Sequence, residues 1–129
     1  MTRVFRLDRR ARLEEVRRGA QALGELHPEV LAVVLFGSLA RGEATAMSDA
    51  DLLVLLAHTP WPFGERLVRY RPLGVRGVEV FPYTWEEAEA WLAEELGPIG
   101  PALKEGLVLF QREGAWERFR ERAPFRPGP

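Results

Sequence analysis

Three acidic residues stand where a hydrophobic core would reject them. Asp49 and Asp51 sit at the mouth of the apolar run ADLLVLLA, Ala50 to Ala57. Successive side chains on a strand point to opposite faces, so acids two residues apart share one face. About 6 Å apart in an effective dielectric near 20, two carboxylates repel by roughly 3 kcal/mol. A cation between them turns that cost into a binding site, and hard carboxylate oxygens with phosphate as co-ligand suit Mg²⁺. Holding two ions needs a third acid. Glu79 offers one, in the middle of the apolar pattern GVEVFPY, Gly77 to Tyr83. An isolated buried carboxylate is expensive, so a buried Glu79 calls for a partner. If its strand lies beside the Asp strand, Glu79 faces Asp49 and Asp51.

Gly37-Ser38 closes the apolar run before the two aspartates. Glycine lets a phosphate approach the backbone closely. Ser38 opens a short helix whose free N–H groups favour an anion. Arg41, one turn later, is placed to add a charge-assisted hydrogen bond to phosphate. Each residue also has a plainer reading. SDAD can cap a turn, Ser38 can cap a helix, Arg41 can form a surface salt bridge, and Glu79 can face water from an edge strand.

The elements that must position these groups are legible as patterns. Asp8 is an N-cap for a helix with Leu13, Val16, Ala20 and Leu23 on its apolar face, ended by the HPEV stretch. Its other face carries Arg9, Arg10, Arg12, Glu14, Arg17 and Arg18, a mixture that suits solvent better than RNA. Val30 to Phe36 is continuously apolar and rich in β-branched residues, hence a central strand covered on both faces. SLARGEA is a short helix and Ala50 to Ala57 the second buried strand. HTPWPFG is a loop and Gly64 to Arg71 a short helix. Gly77 to Tyr83 is a third strand. Thr84 and Glu87 form a capping box. Trp85, Ala88, Leu92 and Leu96 make the stripe of a helix that stops at Gly97-Pro98. PALKEG adds a turn or two of helix, LVLFQ a short strand, AWERFRER an amphipathic ending, and residues 123–129 a frayed tail. Alternating strands and helices indicate an α/β or α+β domain of two or three layers. Trp85 and Trp91 are expected in the core. Trp61, in the loop after the Asp strand, is a weaker candidate to flank a nucleotide or partner. His27 and His58 lack metal-ligand spacing and are given no role.

The 129 residues are 47% hydrophobic with a net charge of −1, which suits one globular domain, residues 1–129, able to bury a core. Cysteine is absent, which excludes disulfides, thiolate metal sites and a thiol nucleophile. No apolar run approaches the roughly 20 residues of a membrane span. The basic start MTRVFRLDRR has no apolar stretch after it, so no signal peptide is expected and the cytoplasm is the expected location. A charge near zero disfavours strong autonomous nucleic-acid binding, although the basic first helix leaves it open.

Gly37-Ser38, ten residues, then Asp49-Ala50-Asp51 resembles the signature of the DNA polymerase β-like nucleotidyltransferase superfamily. The fuller string, GSLARGEA followed by SDADLLV, is similar to the minimal nucleotidyltransferases, small proteins often paired with a HEPN-domain partner as toxin and antitoxin. The resemblance is sharp over Leu35 to Val54 and looser through the Glu79 strand to LKEGLVLFQ. It implies a mixed β-sheet flanked by helices, two Mg²⁺ ions, and ATP as substrate. Asp49, Asp51 and Glu79 would be the catalytic metal ligands, and Gly37, Ser38, Arg41 and Ser48 the nucleotide-binding residues. The reaction implied is attack of a hydroxyl on the α-phosphate with pyrophosphate leaving, between ions about 3.5–4 Å apart. The acceptor implied is a tyrosine of a HEPN-domain partner. An antitoxin that acts by binding alone, with a vestigial site, and a transferase of tRNA ends are the alternatives. Oligomer formation stays open. Glu79 departs from the aspartate of many relatives. Its extra methylene moves the carboxylate by about a bond length, and errors near 1 Å at a reacting centre can cost about 10²-fold in rate.

Overall fold

The computed structural model of the protein describes residues 8–94 and 97–122. Six helices and four strands follow one another along these residues: α1 (Arg9–Leu26), β1 (Val30–Phe36), α2 (Ser38–Arg41), β2 (Ala50–Leu56), α3 (Phe63–Arg69), β3 (Val78–Thr84), α4 (Trp85–Glu94), α5 (Ile99–Glu105), β4 (Leu107–Gln111) and α6 (Ala115–Arg122). The sheet has the order β3-β2-β1-β4. It is mixed, because β1 pairs antiparallel with β2 and with β4, whereas β2 and β3 run parallel. Antiparallel neighbours need only short connections, and the parallel pair needs a crossover, which α3 provides. Leu96 of the expected helix stripe and the expected tail lie outside the described residues.

The pattern of apolar residues explains the layers. β1 and β2 are central and almost wholly buried, as continuous apolar runs require. Val33, Leu35, Leu52, Val54 and Leu56 face a cluster with Val16, Ala20 and Leu23 of α1, Leu39 of α2 and Tyr70 after α3. Val34, Phe36, Leu53 and Leu55 face the other way, onto Ala88 and Leu92 of α4, Ile99 and Ala102 of α5, and Trp116 and Phe119 of α6. The result is three layers, with helices on both faces of the sheet. Gly24 marks how tightly α1 lies on β4. A Cβ there would stand closer than 3.0 Å to the Phe110 ring. Among the described residues no helix is long and apolar enough to cross a membrane.

The crossover is fastened by one arginine. Arg66 Nε donates to the Trp61 carbonyl at 2.8 Å, and Arg66 Nη1 donates to the Pro82 carbonyl at 3.3 Å. The same guanidinium pairs with Glu87 at 2.7 and 3.2 Å. Glu87 is also half of the expected capping box: its carboxylate accepts the Thr84 N–H at 2.8 Å, and its own N–H donates to Thr84 Oγ1 at 3.2 Å. Arg66 thus ties the start of α4 to β3, α3 and the preceding loop. Trp61 is held under the Arg69 guanidinium, 3.5 Å from its ring centre. It follows the far end of β2 from Asp51, so it does not flank the aspartates.

Burial works to raise the pKa of Glu87, but hydrogen bonds from Arg66 and the Thr84 backbone outweigh it and hold it below the ordinary 4.5. A carboxyl depressed in the folded state stabilises above its unfolded pKa, and that stability fades as pH falls through the folded value. Glu87→Gln is therefore expected to lower stability at pH 7 by about 1 kcal/mol, a figure discounted because the side chain is part-exposed. Thermal melts should show the gap between wild type and variant closing as pH drops below about 4.5.

Candidate active site

The two strands that carry the acids are aligned by one carbonyl. Gly77 O accepts the Ala50 N–H at 2.7 Å and Arg12 Nη2 at 2.7 Å. Arg71 adds a further bond to the Val78 carbonyl. This pinning starts β2 and β3 level, and their parallel register then places Asp51 directly beside Glu79. On its other side Asp51 pairs with Phe36 of β1. Asp51 shares its sheet face with Leu53 and Leu55, and Glu79 shares that face with Phe81 and Tyr83. Asp49 lies one residue before β2 and is exposed, as is Glu79, whereas Asp51 is half-buried.

The acids act on one another. Asp51 has its pKa raised, first by burial, then by the negative charges of Glu79 and Asp49. Arg41 opposes the rise and Glu105 adds to it. The expectation that these three carboxylates share one neighbourhood is met. They do not form a finished cage: among the described residues, no group of three or more Asp, Glu, His or Cys side chains is gathered closely enough to hold a metal ion. The donor set itself, hard oxygens only and self-repelling, is one that a divalent cation such as Mg²⁺ satisfies.

Gly37 lies against the acids from the side of β1. Its φ is 83° and ψ −161°, a region essentially reserved for glycine. A Cβ there would also stand closer than 3.0 Å to Asp51 Oδ2. The backbone conformation thus strongly favours glycine, and a side chain there would also press on the Asp51 carboxylate. Gly37, rather than Ser38, is the N-cap of α2 and has no side chain to cap with; Ser38 is the first residue of the helix. Arg41 Nε donates to Glu43 at 3.1 Å and Arg41 Nη1 to Glu105 at 2.8 Å, so the salt-bridge alternative describes this arginine as it stands. Ser48 Oγ accepts the Thr45 N–H at 3.0 Å and closes the turn before β2. It borders, with Asp49, Arg12 and Arg76, a depression of about 420 Å³.

Three groups at this end escaped the sequence reading. Arg9 and Arg12 belong to a face read as solvated, and Arg17 indeed pairs with neighbouring Glu14. Arg9, however, donates to the carbonyls of Leu39 and Ala40 at 3.3 and 3.2 Å and so steadies the end of α2. Arg12 holds Gly77. Glu105 reaches Gly37 and Arg41 from 64 or more positions away. No local pattern signals such contacts. His27 packs edge-on against Tyr70 near Glu29, at the opposite end of the sheet, in agreement with its having no place among the acids.

Known proteins share the family profile and the fold of this chain. Residues 16–96 match the family profile described as nucleotidyltransferase domain. A Methanocaldococcus jannaschii protein that carries the provisional name protein adenylyltransferase MJ1305 is 27% identical over 100 residues, 73% of this chain and 67% of that protein. Among solved structures, a protein from Sulfolobus solfataricus provisionally described as a nucleotidyltransferase superposes with a TM-score of 0.60 at 18% identity, covering 81% of this chain and 85% of that one. A complex of tri-AMPylated HEPN toxin with MNT antitoxin from Shewanella oneidensis matches with a TM-score of 0.51 at 15% identity, covering 89% and 82%. The two structures speak for the fold: a mixed sheet with flanking helices.

Gly37→Ala should separate the two demands on that residue. The backbone conformation alone is expected to cost about 1–3 kcal/mol, and the crowding of Asp51 adds to it. Urea unfolding of Gly37→Ala, Asp51→Ala and the double variant should show a smaller loss from Gly37→Ala once Asp51 is gone. Strict additivity would mean that Asp51 does not crowd the alanine.

Proposed function

The chain belongs to the nucleotidyltransferase domain family, and on that premise we propose that it transfers AMP from ATP to a hydroxyl, with release of pyrophosphate. The observation that carries this reading is the register of β2 and β3, which sets Glu79 beside Asp51 at the end of the sheet where Gly37 turns. Asp49, Asp51 and Glu79 are the groups that would hold Mg²⁺. Bound there, Mg²⁺ would offset the charge of the triphosphate and of the oxygens that attack and depart. Gly37 would admit a phosphate to its backbone N–H, and Ser38, Arg41 and Ser48 would orient the triphosphate. Glu79 would lie nearest the attacking hydroxyl. Its length relative to aspartate bears on rate more than on binding, because rate depends on position more steeply.

The acceptor we favour is a tyrosine of a HEPN-domain partner in the cytoplasm. The AMPylated HEPN toxin in the Shewanella oneidensis complex and the provisional name of the Methanocaldococcus jannaschii relative both support a protein acceptor. A second reading has one observation in its favour. Gly37 and Arg41 are already engaged by Glu105, as would suit an antitoxin that acts by binding alone.

Label transfer decides between them. The purified chain, Mg²⁺ and ATP labelled at the α-phosphate are incubated with extract of the source cells and resolved on protein and RNA gels. A labelled protein band is expected, reduced at least about 100-fold by Asp51→Ala, the scale of a misplaced reacting group. A labelled RNA would move the acceptor to nucleic acid. If Asp51→Ala still neutralises the partner in full, binding alone is the function.

A further inference from the structure

Two donors beside Asp51 are occupied by a residue distant in sequence. One oxygen of Glu105, Oε2, accepts the Gly37 N–H at 2.7 Å and Arg41 Nη1 at 2.8 Å. A main-chain N–H and a guanidinium converging on one anionic oxygen is the arrangement that receives a phosphate oxygen. Glu105 ends α5, whose Ile99 and Ala102 are buried against β1 and β2. The next residue, Gly106, is wedged so closely that a Cβ would strike the Ala102 carbonyl and Val34. The backbone at Glu105 is therefore fixed, while its side chain keeps about a quarter of its surface in water. Rotation about the side-chain bonds can withdraw the carboxylate without disturbing the helix. Glu43 differs. It pairs with the same arginine, through Nε at 3.1 Å, but makes no contact with Gly37.

We propose that Glu105 sets the affinity of the site for phosphate chains: its carboxylate holds the place of a phosphate oxygen, and an incoming triphosphate displaces it from Gly37 and Arg41. This rests on the reading of Gly37 and Arg41 as the triphosphate cradle. The consequence is discrimination. A small anion offers no more than the contacts it must break. A triphosphate has oxygens to spare and brings its own cations, so it replaces the Glu105 contacts and adds others.

The test uses inorganic tripolyphosphate, titrated calorimetrically into the full chain in buffer with excess Mg²⁺. Glu105→Gln is expected to tighten binding by about tenfold, the scale of one charge-assisted hydrogen bond. Glu105→Asp keeps the charge but lacks the reach, and is expected to tighten binding as well. Glu43→Gln is expected to change it by less than about threefold, as an exposed pair should. In the ¹⁵N-labelled protein, Glu105→Gln and saturating tripolyphosphate should each shift the Gly37 amide resonance. Unchanged or weaker binding in both Glu105 variants would overturn the proposal and make Glu105 a strut. Equal tightening by Glu43→Gln would overturn it too, leaving only net charge. If the wild type binds no tripolyphosphate, binding regained in Glu105→Gln supports the proposal, and silence in every variant refutes it. Label transfer can fail independently of this titration, so loss of the reaction and loss of the displaceable anion are distinguishable.

Discussion

The parallel pairing of β2 with β3 holds Asp51 beside Glu79 against their mutual repulsion. Nothing else at this end of the sheet follows without it. Strand register is a binary constraint. A slip of one residue would turn Glu79 to the opposite face and bring Val78 or Val80 into its place. Register is secured by apolar residues on both faces of β2, and by the Gly77 carbonyl, which gathers Ala50 N–H and Arg12 at the level where the acids begin. The middle of the sheet supplies the stability that the end of the sheet gives up.

The two ends of the sheet make an instructive contrast. At one end, Tyr70 OH donates to Glu29 at 2.8 Å and shares a hydrogen bond with Thr59 at 2.9 Å. Burial works to raise the pKa of Glu29, yet the bonds to its own backbone and to Tyr70 hold it low. That cluster satisfies itself and needs no ligand. At the other end, burial and like charges push Asp51 up, and only Arg41 pulls against them. Polar groups that settle their own charges belong to the architecture. Groups held in mutual conflict by a rigid sheet point to something from outside that resolves it.

Much of this could be seen in the sequence, because the informative patterns are local. The continuous apolar runs gave β1 and β2 their central places. The stripe of Leu13, Val16, Ala20 and Leu23 set the face of α1, and Thr84 with Glu87 marked the start of α4. The acids and Gly37 drew notice because their types conflict with their surroundings. Small differences arose at element ends, where capping decides: α3 runs Phe63–Arg69 and β3 runs Val78–Thr84, one or two residues from the expected limits. What escaped were the long side chains that reach across the fold. Arg9, Arg12 and Glu105 sit in stretches whose local pattern is that of an exposed helix face or helix end. The partners that bring them to the site are backbone groups or side chains 30 to 68 positions away. A guanidinium or carboxylate on a long stem shows its target only when the fold brings the target near.

The electrostatics of the site set its carboxylates against one another. Asp49, Asp51, Glu79, Glu43 and Glu105 lie around one end of the sheet, where Arg41 is the cation that acts on Asp51. The backbone of Asp51 is held in register by β1 and β3 on either side. Asp49 and Glu79, both exposed, can turn toward water and lessen the repulsion. A triphosphate alone would add negative charge to negative charge. A divalent cation held among the acids would be attracted to each carboxylate and would offset their mutual repulsion. Rigid strands hold the carboxylates near one another, and the exposed side chains of Asp49 and Glu79 have the room to adjust to such an ion.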